Sequence, residues 1–206
     1  MTAPPPERPP NTDPAAIWRD LWDRLSSAVD SARHPFHLGT FGTVVNGRPE
    51  QRTVVLRGAD EDERTLLFHT DARATKAAGL VATAPVSWLF YDPQNKLQLR
   101  IGGLGRLDTS GALADARWAA SRQQSRLCYT HAHGPGTPLR DALGYGPAAA
   151  QPSEALDALV DAGRAHFAVV ATEVTGIDWL LLAARGHRRM RFEVSKTSYD
   201  STWIAP

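Results

Sequence analysis

The stretch Phe36–Arg57, FHLGTFGTVVNGRPEQRTVVLR, decides the fold. Phe36 to Val45 and Gln51 to Arg57 are rich in β-branched and aromatic residues and read as strands. Between them lies Asn46-Gly47-Arg48-Pro49. An Asn-Gly pair tolerates the positive φ values that a tight hairpin turn requires, so this is an antiparallel hairpin. Side chains alternate faces along a strand. Arg52 therefore shares a face with Val54 and Leu56, while Arg57 shares one with Thr53 and Val55. For both arginines to hold one ligand, the ligand must wrap an edge or the strand must twist. Two solvated arginines flanking an apolar strand satisfy the same pattern.

Working outward toward the N-terminus, Ile17, Leu21, Leu25 and Val29 recur at helical spacing, with Trp18 and Trp22 beside them. Asp13 suits the N-cap and Pro14 the first turn. The pattern ends near Arg33-His34-Pro35 and predicts an amphipathic helix lying across a barrel. Residues 1–13, rich in proline, read as a disordered tail without the apolar core of a secretory signal.

Toward the C-terminus, strands are expected over residues 65–70, 86–91 and 97–107. The glycines Gly102, Gly103 and Gly105 point to a bulge or a close backbone approach in the third of these. Helices are expected over residues 73–81, 110–121 and 153–164, with a charged turn at 59–64 and a long loop at 129–151. Closing strands are expected over residues 166–174, 178–184 and 189–194. Repeated hairpins with helices outside give a mainly β fold, a compact antiparallel barrel in one domain over residues 14–206.

Composition narrows the function. The 206 residues hold 23 Lys plus Arg and 22 Asp plus Glu, a net charge of +1, which disfavours a nucleic-acid binder. The single cysteine, Cys128, excludes an intrachain disulfide and thiolate-rich metal sites, and no metal site is expected. No membrane contact is predicted and the cytoplasm is the expected location.

Four groups carry candidate chemistry. Arg52 and Arg57 form the first. His69-Thr70-Asp71-Ala72-Arg73-Ala74-Thr75-Lys76, at a strand-to-helix junction, supplies hydroxyls and cations suited to a phosphate, or simply a capped helix. Gln98 in the strand Gln98-Leu-Arg-Ile101 needs a partner if buried. Near the end, Trp179 precedes a cationic run from Arg185 through His187 and Arg189 to Arg191-Phe192, which seeks an anion or is a solvated hairpin.

The order of these groups resembles the pyridoxamine-5′-phosphate-oxidase-like family of FMN-binding split β-barrels, from about Phe36 to Pro206. The landmarks are Arg52–Arg57, His69-Thr70 with Thr75-Lys76, Gln98–Gly103, Trp179 with Arg191-Phe192, and Ile204-Ala205-Pro206. The resemblance implies a homodimer with FMN at the subunit interface. The strand Arg52-Thr53-Val54-Val55-Leu56-Arg57 and the Thr70–Lys76 turn would hold phosphate and ribityl chain. Gln98 would face the flavin ring, His69 stands where the family has another aromatic residue, and Trp179 and Arg191 would approach from the other subunit. On the substrate side the resemblance implies Arg57, Trp118, Arg122, His187 and Arg189, but that side departs from the family pattern. Trp118 replaces a Tyr, Arg126 falls at a Ser, and His187 and Arg189 stand in swapped order.

An FMN-dependent oxidoreductase follows, with no general acid or base demanded by the sequence. The alternatives are a non-catalytic flavin protein, a haem protein using His131, His133 or His187, or a reductase using the deazaflavin F420 held by the Arg185–Arg191 cluster. Cys128 has no identifiable activating base.

Overall fold

A computed structural model describes residues 12–80, 82–140, 153–184 and 186–206. Most of the expected tail and part of the 129–151 loop lie outside these residues. Helix α1 (Pro14–Asp30) starts as expected, with the Asp13 carboxylate accepting from Ala15 N at 3.1 Å. Its apolar stripe, Ile17, Trp18, Leu21, Trp22, Leu25 and Ala28, is buried in the main core.

The hairpin is strand β1 (Leu38–Val45) against β2 (Arg48–Val55), in register from Leu38 opposite Val55 to Val45 opposite Arg48. At its turn Asn46 and Gly47 have φ of 51° and 75°, the positive values that make this dipeptide favourable there. After β2 the chain continues through Leu56, whose N–H donates to His37 O, and Arg57, whose N–H donates to Leu67 O. Those two bonds carry the hairpin onto strands β3 (Gly58–Asp60) and β4 (Thr65–Asp71). Strand β3 falls within the expected charged turn; it is three residues long, too short to show a period.

Strands β5 (Ala84–Asp92), β6 (Leu97–Asp108) and β7 (Phe167–Leu181) complete the path β2-β1-β5-β6-β7-β4-β3. Two of the expected closing strands, 166–174 and 178–184, are one continuous strand, β7. Thr175-Gly176-Ile177 reads as a break in sequence, yet β6 pairs on both sides of it and skips only Thr175, at the register shift. The opposite edge of β7 is shared: β4 occupies it as far as Glu173, and β8 (Arg188–Val194) takes it from Gly176. A last strand, β9 (Tyr199–Ile204), pairs with β8; it was not foreseen because its only periodic signal is exposed and polar. The register shift at Gly102/Gly103 places the expected bulge there. A Cβ on Gly103 would sit 2.3 Å from Glu173 O, so the close backbone approach is real as well.

The barrel interior is aromatic. Trp88 packs on Phe41, Phe68 and Phe90 with ring centroids 5.1–5.5 Å apart. Its indole N–H donates to the buried Thr172 Oγ1 at 3.1 Å, which satisfies both polar groups across the core. A second, smaller core lies where helix α3 (Ala112–Ala120) and helix α5 (Ser153–Gly163) cover the outer side of β4 and β7. Helix α2 is only Thr75–Ala78, shorter than the expected 73–81, because Asp71 holds Arg73 in a turn before it and Gly79 ends it. Helix α4 (Gln123–Arg126) is a single turn after α3. No helix among the described residues is long and apolar enough to cross a membrane.

Candidate active site

The split between β2 and β4 is where the first two sequence groups meet. Arg52 lies opposite Phe41 on β1, in line with the inward-facing residues, as the alternation predicts. Its guanidinium donates to Thr43 Oγ1 at 2.7 Å and pairs with Glu50 at 2.9 Å. Lys76, on α2, is half-buried and close enough to Arg52 to feel its charge. Burial is the main influence and lowers the Lys76 pKa. The positive charge of Arg52 lowers it further, and Asp71 pulls the other way. No described carboxylate forms an ion pair with Lys76. Two cations thus share a crevice in which Glu50 is taken by Arg52 at 2.9 Å and Asp71 by Arg73 at 2.7 Å. Thr70 is buried at the edge of this crevice and Thr75 is exposed beside it. The segment 131–137 overlies the turn: Arg73 donates to His131 O at 2.9 Å, and Gly134 and Gly136 pass close to Arg73 and Thr75.

Arg57 emerges on the other side of the sheet, as the alternation also predicts. It lines a cavity of about 710 Å³ together with Arg117 of α3, Leu67 and Ala171. His69 is beside both arginines. Burial, then the charges of Arg57 and Arg117, push its pKa down to about 4, so its ring is neutral at pH 7. Its Nε2 is buried without a partner, and the ring packs edge-on against Phe167 at 4.9 Å. Tyr129 joins this region through His166, whose Nδ1 lies 2.8 Å from Tyr129 O. Burial raises the Tyr129 pKa, so the phenol stays protonated.

The third group occupies the outer face of the sheet. Register places Leu38, Tyr91, Gln98, Leu180 and Arg189 in one cross-strand row and Thr40, Leu89, Arg100, Asp178 and Arg191 in the next. Gln98, Arg100 and Arg191 line a groove of about 490 Å³ there. Arg189 is engaged: it grips Asp178 with two bonds of 2.9 and 2.7 Å. Arg191 and His187 are exposed. Trp179 points inward, buried against Trp203, and its indole N–H has no partner. Of the flavin-motif strand, Val54 and Leu56 belong to the core, Thr53 is exposed and Val55 half-buried. On the mid-chain helix, Trp118 is 8% exposed within the second core. Arg126 stacks on Trp118, and Arg122 is exposed at the start of α4.

One chain therefore gathers Arg52, Thr70, Thr75 and Lys76 in one crevice and Arg57 and His69 beside it. Gln98 and Arg191 stand on a separate face. Residues 15–108, which hold the crevice and Gln98, match the family model for the FMN-binding domain of pyridoxamine 5′-phosphate oxidase. Over that stretch the chain is similar to the pyridoxamine-5′-phosphate-oxidase-like family. A pyridoxine/pyridoxamine 5′-phosphate oxidase of Hyphomonas neptunium is 29% identical over 188 residues, 89% of this chain and 82% of that one. The pyridoxine/pyridoxamine 5′-phosphate oxidase 2 of Arabidopsis thaliana is 30% identical over 136 residues, 60% of this chain and 65% of that one. Among solved structures, a pyridoxamine 5′-phosphate oxidase-related, FMN-binding protein of Nostoc punctiforme superposes with a TM-score of 0.70. It is 23% identical, with 96% of this chain and all of that one covered. PhzG of Burkholderia lata, solved with tetrahydrophenazine-1-carboxylic acid, gives 0.65 at 19% identity, with 100% and 98% covered. The fold is thus the FMN-binding split barrel of the pyridoxamine-5′-phosphate-oxidase-like family.

FMN is the cofactor of the matched family domain, and the residues present fit it. A phosphate dianion would supply the missing counter-charge for Lys76 beside Arg52, and the Gln98 amide would offer hydrogen bonds to a ring edge. Sequence reasoning missed Arg117, Thr43 and Asp178. Arg117 precedes the tryptophan that attracted attention and sits on a weakly amphipathic helix. Thr43 and Asp178 take their roles from cross-strand register, which the sequence does not display.

Proposed function

We propose that this protein is an FMN-dependent oxidoreductase, a homodimer in the cytoplasm with FMN between subunits, acting on a small anionic substrate. The observation that carries this reading is Lys76: a half-buried cation beside Arg52, whose own carboxylate partner is Glu50, and beside Asp71, which is committed to Arg73, so that no described carboxylate pairs with it. A half-buried ammonium without a partner is costly unless an anion completes it. The dimer draws support from the outer sheet face, where Leu38, Leu89 and Tyr91 are 54%, 40% and 46% exposed, Tyr91 directly opposite Gln98 and Leu89 in the next row. A second copy covering that face would bring Gln98 and Arg191 toward a partner's crevice.

When bound, FMN supplies the two-electron redox chemistry. The chain's own part is binding and orientation. Arg52 and Lys76 neutralise phosphate charge, Thr70 and Thr75 add hydroxyls, and Gln98 directs hydrogen bonds at the ring. The apolar walls and the 131–137 segment keep water out. Neutral His69 lines the substrate side without adding charge. The departures at Trp118, Arg126 and the late His187/Arg189 pair leave the substrate side distinct from that of the vitamin B6 oxidases. The F420 alternative loses one of its cations, because Arg189 is committed to Asp178.

The test is purification followed by an absorbance spectrum, mass measurement of the released cofactor and sizing by light scattering. A yellow dimer releasing FMN, which consumes oxygen with pyridoxamine 5′-phosphate or a related amine, supports the reading. A colourless protein that refuses added FMN removes it, and a yellow protein inert to every donor leaves a flavin carrier.

A further inference from the structure

We infer that Glu50 is an exchangeable counter-ion for Arg52: it competes with the flavin phosphate for the guanidinium and so limits how tightly FMN is held, while Thr43 keeps the guanidinium in place through the exchange. The inference rests on the FMN reading above and concerns the regulation of that same site. Both residues lie outside the strand Arg52–Arg57 that the resemblance singles out, and both act through Arg52, as positioning residues.

The hairpin register sets the geometry. Phe41 lies opposite Arg52, and Thr43 lies opposite Glu50, one pair nearer the turn. Glu50 and Arg52 are two residues apart on β2 and so share a face. Arg52 reaches along that face to the Thr43–Glu50 pair. Its Nη1 donates to Thr43 Oγ1 at 2.7 Å, with longer bonds to Glu50 O at 3.3 Å and Phe41 O at 3.4 Å. These three acceptors are fixed: two are backbone carbonyls, and the third is a hydroxyl on a side chain buried in the hairpin. Its Nη2 donates to Glu50 Oε2 at 2.9 Å. One end of the guanidinium is therefore anchored by the sheet and the other by a single side chain.

The two acids of the crevice differ in whether they can leave. The Asp71 side chain is 7% exposed and accepts three bonds from Arg73, from its backbone N at 2.8 Å, Nε at 3.0 Å and Nη2 at 2.7 Å. It is locked. The Glu50 side chain is 41% exposed and accepts one bond. It stands on β2, the terminal strand of the sheet path, so its carboxylate can turn out into water. An exposed ion pair with one contact is weak. A phosphate dianion carries more charge and matches the guanidinium fork, so the exchange runs toward phosphate. The attraction of Glu50 for Arg52 is then subtracted from the binding of FMN, and any carboxylate charge left near the site repels the phosphate. Lys76 has no such competitor among the described residues. The two cations thus play different parts: Lys76 attracts the phosphate outright, and Arg52 is released to it.

The test is titration of the flavin-free full chain with FMN and, separately, with riboflavin, which has the same ring and ribityl chain without the phosphate, followed by quenching of flavin fluorescence. Glu50→Gln keeps the shape of the side chain and removes its charge. The expected result is FMN held about threefold tighter than by the unmodified protein, the size of an exposed ion pair, with riboflavin affinity unchanged. Thr43→Val removes the buried acceptor and weakens FMN about tenfold, again without moving riboflavin, and Thr43→Ser, which keeps the hydroxyl, restores the affinity. The ratio of FMN to riboflavin affinity is the deciding quantity, because a merely structural role moves both flavins together. Weaker FMN binding in Glu50→Gln overturns the inference, since Glu50 would then be holding Arg52 for the phosphate. An unchanged ratio, or equal shifts for the two flavins, overturns it as well. An unmodified protein that binds riboflavin and FMN alike, or neither, removes the FMN reading itself, whereas a protein that prefers FMN in every variant by the same factor keeps that reading and removes only the role of Glu50.

Discussion

Cations are handled in two ways on this barrel. On the outer face of β7 and β8, Arg189 and Arg100 converge on Asp178, and the closer pair is bidentate. At the split between β2 and β4, Arg52 is paired with Glu50, but Lys76 beside it, and Arg57 and Arg117 at the cavity wall, form no ion pair with a described carboxylate. The first arrangement is finished within the chain. The second leaves Lys76, Arg57 and Arg117 unpaired. Sequence shows Arg and Lys at both places; the difference is whether the fold brings a carboxylate to them. That difference separates residues that support the structure from residues that wait for an anion.

The strongest way to break the comparison is to remove a waiting cation. Lys76→Met should weaken FMN retention by about one to two orders of magnitude, from one lost charge-assisted contact of roughly 1.5–3 kcal/mol. The flavin-free protein should be no less stable, because the substitution removes a desolvated charge beside Arg52. Dialysis against buffer with fluorescence of released FMN, alongside urea unfolding of the flavin-free form, measures both. A large loss of stability without FMN would place Lys76 with the finished cations.

His69 sharpens the same contrast through pH. Its pKa is about 4 in the folded chain and about 6.5 when unfolded. Folding therefore excludes a proton that the unfolded chain accepts. The stability is full above pH 6.5 and is lost progressively as pH falls toward 4, by about 2 kcal/mol at pH 5. His69→Phe, which keeps a ring against Phe167, should remove that acid slope. Unfolding free energies at pH 7 and pH 5 for both proteins check it, and an unchanged slope in the variant contradicts the assignment.

Asp178 tests the finished side. The Arg189 hydrogen bonds hold its pKa below the usual carboxylate value, with the Arg189, Arg100 and Arg191 charges adding to the effect. Its contribution is present above pH 4 and disappears as pH falls through the folded pKa. Asp178→Asn should cost about 1 kcal/mol at pH 7, a modest figure because the pair is partly open to water. The gap between the variant and the unmodified protein should narrow as pH falls below 4, and a gap that does not change with pH would show that packing, not charge, supports the pair.

How far the sequence reveals this depends on the range of the interactions. The hairpin at Asn46-Gly47, the helix with Ile17, Leu21 and Leu25, and the bulge at Gly102/Gly103 are local and were legible. So was the opposition of Arg52 and Arg57, because strand alternation fixes it. The long strand β7 was read as two, since a Thr-Gly pair looks like a break until β6 is known to run beside it. Strand β9 carries no apolar alternation to announce it. The resemblance places a flavin motif on Arg52–Arg57 and a substrate residue on Trp118, yet Trp118 is packed in the second core and Arg117 beside it lines the cavity. Which of two adjacent helical residues faces a cavity depends on where the helix docks, and Phe167 and Val169, far along the chain, determine that.

Arg191 gives the smallest effect and the most informative one about assembly. It is exposed, it forms no ion pair with a described residue, and it lies opposite Asp178 in the register. Arg191→Ala should change the stability of a single chain by no more than about 0.5 kcal/mol, as for most surface substitutions. If a second copy covers the outer sheet face, the same change removes a cation from the partner's FMN site, and retention should fall about tenfold. That loss should appear only where the protein is dimeric. FMN affinity is therefore measured at protein concentrations above and below the dimer dissociation constant. The variant and the unmodified protein should differ above it and agree below it. A difference that persists in the monomer would mean Arg191 reaches the flavin within its own chain, which the strand order opposes, since four strands separate it from Arg52 along the sheet.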